Sequence, residues 1–227
     1  MPELIAASPR SGLRVLADAP YLRNVAALVL LGTFGATLVD YVFKVQAVST
    51  LGRGDDLLRF FALYYAGVGL LTFLVQTSSA HVLQRLGLAT AASTSPATLL
   101  AGSLGAMAYP GLGTATLMRG GESVFRGSLF KTAYEIFYTP IPAQEKRAAK
   151  SIIDVGFDRA GDALGGGLVR LLMVLPASRH QTAILTIALA CAACALVIAR
   201  RLNQAYVQTL ERSLVNRAVE LDLSDAR

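Results

Sequence analysis

Apolar residues arrive along this chain in long runs separated by short polar punctuation, and the runs approach the roughly 20 residues a helix needs to cross a bilayer. The pattern predicts six membrane-spanning helices, over about 24–47, 57–79, 88–109, 112–138, 151–175 and 181–199. A lead-in of residues 1–22 precedes the bundle at 23–200, and a polar tail at 201–227 follows it. Polar turns are expected at 49–56, with a helix start at Asp55, and at 80–87, and a loop at 139–150 opened by Pro140 and Pro142. Pro110 with Gly111 closes the third run, and Pro176 closes the fifth.

The runs differ in character. The third is rich in Ala, Ser, Thr and Gly, which let helix backbones approach closely, so it is expected inside the bundle. The sixth carries no charge and is expected to face lipid. In the tail, Leu202, Leu210, Leu214 and Leu221 recur near four-residue spacing, which reads as a surface helix or a frayed end.

Composition agrees with a membrane. Of 227 residues, 54% are hydrophobic and 16% charged, with a mean hydropathy of +0.51, more apolar than a soluble domain of this length. The first twenty residues lack the continuous apolar core of a cleavable signal peptide. The net charge of +6 is spread as punctuation between apolar runs, so a nucleic-acid surface is not indicated. With the N-terminus in the cytoplasm, twelve cations fall on the inner side: Arg10, Arg14, Arg23, Arg85, Lys146, Arg147, Lys150, Arg200, Arg201, Arg212, Arg217 and Arg227. Only Arg53, Arg59, Arg119 and Arg179 fall on the outer side, so both termini are expected inside.

Enzyme signatures are not evident. Cys191 and Cys194 form a C-x-x-C within an apolar run, where two small packing thiols are the simpler reading than a redox or metal pair. His81 and His180 fall in expected loops without ligand partners nearby, so neither a metal site nor a cofactor is expected. The glycine triplet Gly165–Gly167 suits helix packing better than phosphate cradling, because no Lys-Ser or Lys-Thr follows.

What stands out is charge inside the apolar runs. Arg119, Glu122 and Arg126 share one helical face, and Lys131 and Glu135 share another. Asp154, Asp158 and Asp162 form a stripe at every fourth residue, with Arg126, Lys131, Lys150 and flanking Arg159 as candidate counter-ions. Asp40 and Lys44 stand one turn apart and can pair. Each such group costs about 2.5–3.5 kcal/mol at bilayer depth, so it must face a partner or a wet cavity.

These residues carry a resemblance. DYVFKVQ (40–46) and SLFKTAYEIFYTPIPAQEKRAAKSIIDVGFDRAGDALGGG (128–167) resemble the carboxyl-terminal half of the ATP/ADP translocase-type nucleotide transporters. The resemblance implies an all-α membrane fold, one six-helix half of a major-facilitator-like carrier, that moves nucleotide by alternating access. It implies that Asp40 stands where the family has Glu, and that Lys44, Glu135, Lys150, Asp154, Arg159 and Gly161 keep the family's residue types. Asp162 and Tyr134 stand where Lys is usual, and Lys131 stands where Asp is usual.

The expected function is therefore a transporter or half-transporter of nucleotide or a related anionic solute, not an enzyme. Asp40, Lys44, Arg126, Glu135, Asp158, Arg159 and Asp162 are the expected wall of the solute path. Lys150 and Asp154 are expected as a gate or structural pair. Such a half needs a second six-helix half, since substrate sites in these folds lie between halves near the midplane. The expected setting is a bacterial inner membrane. The alternatives are a proton-coupled carrier of another solute, or a non-transporting scaffold or sensory module with the same fold.

Overall fold

The computed structural model describes residues 20–139, 143–174 and 176–225, and among these no strand occurs. Helix α1, Pro20–Leu51, begins with proline in its first turn, where a missing N–H costs nothing. It ends at Gly52, whose φ of +71° takes the chain out of the helix. Helix α2, Asp55–Ala108, starts where expected, with Asp55 and Asp56 facing the positive end of the helix dipole. At 1.5 Å per residue its 54 residues would reach about 80 Å, far beyond a hydrocarbon core of about 30 Å. The residue that resolves this is Gly87, at φ +79° and ψ 164°. It folds α2 into two limbs.

Helix α3, Leu112–Phe125, passes into a π-helical segment, Arg126–Phe130, and then into α4, Lys131–Ile136. Phe125 and Phe130 at the two junctions keep right-handed helical dihedrals, so this is one continuous rod. A second rod is built the same way from α5, Ala143–Ser151, a π-helical segment, Ile152–Phe157, and α6, Asp158–Leu172. Helix α7, Ala177–Asp225, closes the chain. Among the described residues three helical stretches are long and apolar enough to cross a membrane: Tyr21–Leu51, Asp55–Ala108 and Arg179–Tyr206.

Two apolar cores sit at opposite ends of α1. One gathers Tyr21, Val25 and Leu28 with Ala91, Phe137, Tyr138, Ile153 and Leu202. There the Tyr21 hydroxyl donates to the Phe137 carbonyl at 2.7 Å. The other gathers Leu38 and Val42 with Leu99, Met118, Val169 and Ile184. Beside it Phe43 packs on Phe60, Phe61 and Tyr64. The first limb of α2 therefore runs antiparallel to α1 and the second limb runs parallel to it.

Several expectations change. Residues 80–86 are helical rather than looped, and His81 lies in that helix. His180 lies within α7. Residues 143–150, expected as loop, form α5, because Ala, Gln, Glu, Lys and Arg are strong helix formers that hydropathy does not register. Pro140 and Pro142 lie outside the described residues. The sixth apolar run does not simply face lipid: Ile184, Leu185, Ala188, Ala192, Ala195 and Ala199 form a buried stripe. Arg200 and Arg201 do not end that helix, which runs on to Asp225. Cys191 and Cys194 are free thiols.

Candidate functional site

Close approach of α6 to α1 builds the site. A Cβ on Gly161 would lie 2.9 Å from the Leu30 carbonyl oxygen and from Thr33 Cβ. One on Gly165 would lie 2.9 Å from Thr37 Cβ. Only glycine at both positions lets the rods meet this tightly. Because Thr33 and Thr37 are spaced by four, like Asp158 and Asp162, the contact sets both pairs in register. Thr33 Oγ1 donates to Asp158 Oδ1 at 2.5 Å, and Thr37 Oγ1 donates to Asp162 Oδ1 at 2.8 Å.

From this contact a ladder of alternating charge crosses three elements. Lys44 Nζ meets Asp40 Oδ2 at 2.6 Å, the pairing their one-turn spacing predicts. Arg119 Nε donates to Asp40 Oδ1 at 2.9 Å, while its Nη1 donates to Glu122 Oε2 at 2.5 Å and to Ser123 Oγ at 2.8 Å. Arg126 Nη2 donates to Thr33 Oγ1, and to Asp158 Oδ1 at 3.2 Å. The order is Lys44, Asp40, Arg119, Glu122, Arg126, Asp158, with signs that alternate and cancel.

Glu122 is the deepest member, 1% exposed. A buried carboxylate of this kind is tolerated only when cations and hydrogen bonds replace its lost water, and here a guanidinium lies a turn away on either side. The link to Arg126 is the loosest. Arg126 Nη1 stands 3.7 Å from Glu122 Oε1, and neither buried atom makes a hydrogen bond.

The ladder opens on two adjoining hollows. One of 590 Å³ is lined by Val29, Arg119, Glu122, Ser123, Arg126, Gly127, Phe130, Lys131, Tyr134, Glu135, Asp154 and Asp158. One of 280 Å³ is lined by Thr33, Ala36, Thr37, Asp40, Arg119, Arg126, Asp158 and Asp162. At the far end of the larger one, Lys150 Nζ donates to both Glu135 oxygens, at 2.6 and 2.7 Å. Tyr134 donates to Asp154, and its oxygen lies 2.7 Å from that of Tyr138.

Of the residues expected in the wall, Asp40, Lys44, Arg126 and Asp158 therefore meet in one ladder. Asp162 joins through Thr37. Arg159 lies on the outer flank, 78% exposed at its side chain and 3.6 Å from Asp162. Glu135 sits apart, with Lys150. Among the described residues Lys150 and Asp154 make no ion pair with each other: Lys150 holds Glu135, Asp154 accepts from Tyr134, and a π-helical segment begins between them at Ile152. Lys131 lines the larger hollow without an ion pair among the described residues. Sequence reasoning left Arg119 and Glu122 out of the wall and counted Arg119 as an outer-side cation, whereas it bonds inward to α1. Thr33 and Thr37 went unnoticed, although a pair of threonines spaced like a pair of aspartates is visible in the sequence.

Residues 6–113 match the family model described as TLC ATP/ADP transporter. Two Arabidopsis thaliana proteins, ADP,ATP carrier protein 2, chloroplastic, and ADP,ATP carrier protein 1, chloroplastic, are each 24% identical over a stretch covering 72% of this chain and 29% of their own length. This chain is thus similar to ATP/ADP transporters. It spans less than a third of the length of these two translocase-type relatives. Asp40 and Lys44 fall inside the family match, while the α3 and α6 arms of the ladder lie beyond it. No solved structure matches.

Proposed function

We propose that the chain is one six-span half of a major-facilitator-like carrier that moves a nucleotide, or a related anionic solute, by alternating access. The observation that carries this reading is the charge ladder on an open hollow between apolar helices. Ionisable groups at bilayer depth mark solute paths, and exchangeable pairs of this kind let a carrier stay neutral when empty. An entering phosphate competes with Asp158 and the loosely held Glu122 for Arg126, and with Asp40 for Arg119. Asp40, Lys44, Arg126, Glu135, Asp158, Arg159 and Asp162 form the wall. The relationship to proteins named ADP,ATP carriers supports adenine nucleotide as the solute.

The reading places both termini in the cytoplasm, in a bacterial inner membrane, with a second six-helix half completing the path. It is tested by uptake of labelled ATP or ADP into vesicles containing the chain and its partner half. Exchange abolished by Arg126→Ala is the expected result; exchange at the wild-type rate in that variant would overturn the role given to the ladder.

One observation favours a second reading. In the larger hollow four carboxylates face three cations. A proton-coupled carrier of another solute would use that excess, and Asp158→Asn would then shift the pH optimum of transport without any nucleotide flux.

A further inference from the structure

The hollow-lining residues of the α3–α4 rod change character along its length, from charged at one end to aromatic at the other. Arg119, Glu122 and Arg126 come first, and Phe130 and Tyr134 follow. The rings of Phe130 and Tyr134 stack with 6.3 Å between centroids and 18° between planes. Tyr134 cannot swing away, since its hydroxyl is tied to Asp154 and Tyr138. Lys131 lines the same hollow and makes no ion pair among the described residues. Arg126 and Phe130 are the first and last residues of the π-helical segment, about one turn apart along the rod.

A flat apolar face held rigid, with a cation lining the same hollow of 590 Å³, suits a solute with a planar ring at one end and phosphate at the other. We propose that Phe130 is the stacking platform for the nucleobase and that Lys131, with Arg126, takes the phosphates. This rests on the nucleotide reading above and adds to it an orientation and a specificity residue. The carboxylates lining the hollow do not contradict it. Glu122 and Asp158 are held by arginines, Glu135 by Lys150, and Asp154 by the Tyr134 hydroxyl.

The test compares ATP with inorganic tripolyphosphate, which has the charge but not the ring, by calorimetric titration of the full chain together with its partner half in lipid nanodiscs. Phe130→Leu keeps an apolar side chain of similar bulk and removes the flat face, so the fold is spared. Stacking on an aromatic side chain predicts a loss of ATP affinity of about 5- to 100-fold with tripolyphosphate unchanged. Phe130→Tyr restores ATP binding, and Lys131→Ala weakens both ligands. Equal ATP affinity in wild type and Phe130→Leu overturns the platform alone, as does an equal loss for ATP and tripolyphosphate. A wild-type chain that binds neither anion overturns the nucleotide reading and the platform together.

Discussion

Two sets of ion pairs tie the charged rods to their neighbours, and they are built on different terms. The ladder from Lys44 to Asp158 joins α1, α3 and α6 around a carboxylate with almost no access to water. The pair of Lys150 with Glu135 joins α4 to α5 at 30% and 46% side-chain exposure. In the first, the centre is buried, and removing Arg119 strands Glu122 in an apolar setting, although Lys44 at the outer end is 54% exposed. In the second, water replaces whatever is lost. The first set can therefore store a conformational preference, while the second can open and close at little cost. Depth, rather than the number or shortness of contacts, separates them.

The sharpest way to break that contrast is Arg119→Met. It leaves Asp40 to Lys44 alone and buried Glu122 to the distant Arg126, and should cost about 3–5 kcal/mol, read as a lower melting temperature in detergent. Adding Glu122→Gln should recover part of the loss. An unchanged melting temperature in the single variant would mean that the ladder is not a coupled unit. Next comes Gly161→Ala, which should cost about 2 kcal/mol by driving a methyl group against the Leu30 carbonyl and Thr33. Gly166→Ala meets nothing within 4 Å and should be neutral or slightly stabilising in the same assay. Thr33→Val keeps the shape and removes the hydroxyl between Arg126 and Asp158, a loss of about 1.5 kcal/mol. Smallest of all, Lys150→Ala should change stability by less than about 1 kcal/mol. If Lys150→Ala matched Arg119→Met, the contrast by depth would collapse.

What could be read in the sequence follows from how local each feature is. Asp40 and Lys44 share one helix, so spacing alone predicts their pairing. The apolar runs sit where the helices are. Across helices the sequence offers Arg126 as one of four candidate counter-ions for the Asp154, Asp158 and Asp162 stripe, but which carboxylate it meets depends on the glycine contact between α6 and α1. Arg119 was placed at a water boundary because a cation near the start of a run looks the same whether it points outward or toward Asp40. Lys150 and Asp154 take separate partners, and the spacing argument for them assumes an α-helix throughout, whereas a π-helical segment begins between them. Helix α5 was missed because its residues favour helix through backbone propensity rather than through apolar periodicity.

The corner at Gly87 has no slack. A fold that reverses direction in one residue fixes the azimuth of everything after it, so each extra residue placed there would rotate the limb Leu88–Ala108 by about 100°. Leu99 would swing out of the notch it fills against Gly35, where a Cβ would sit 2.5 Å from its methyl carbon. Length variation in this protein should therefore be tolerated at almost any surface turn before it is tolerated here, and an epitope tag spliced after Leu86 would report on unfolding rather than on sidedness.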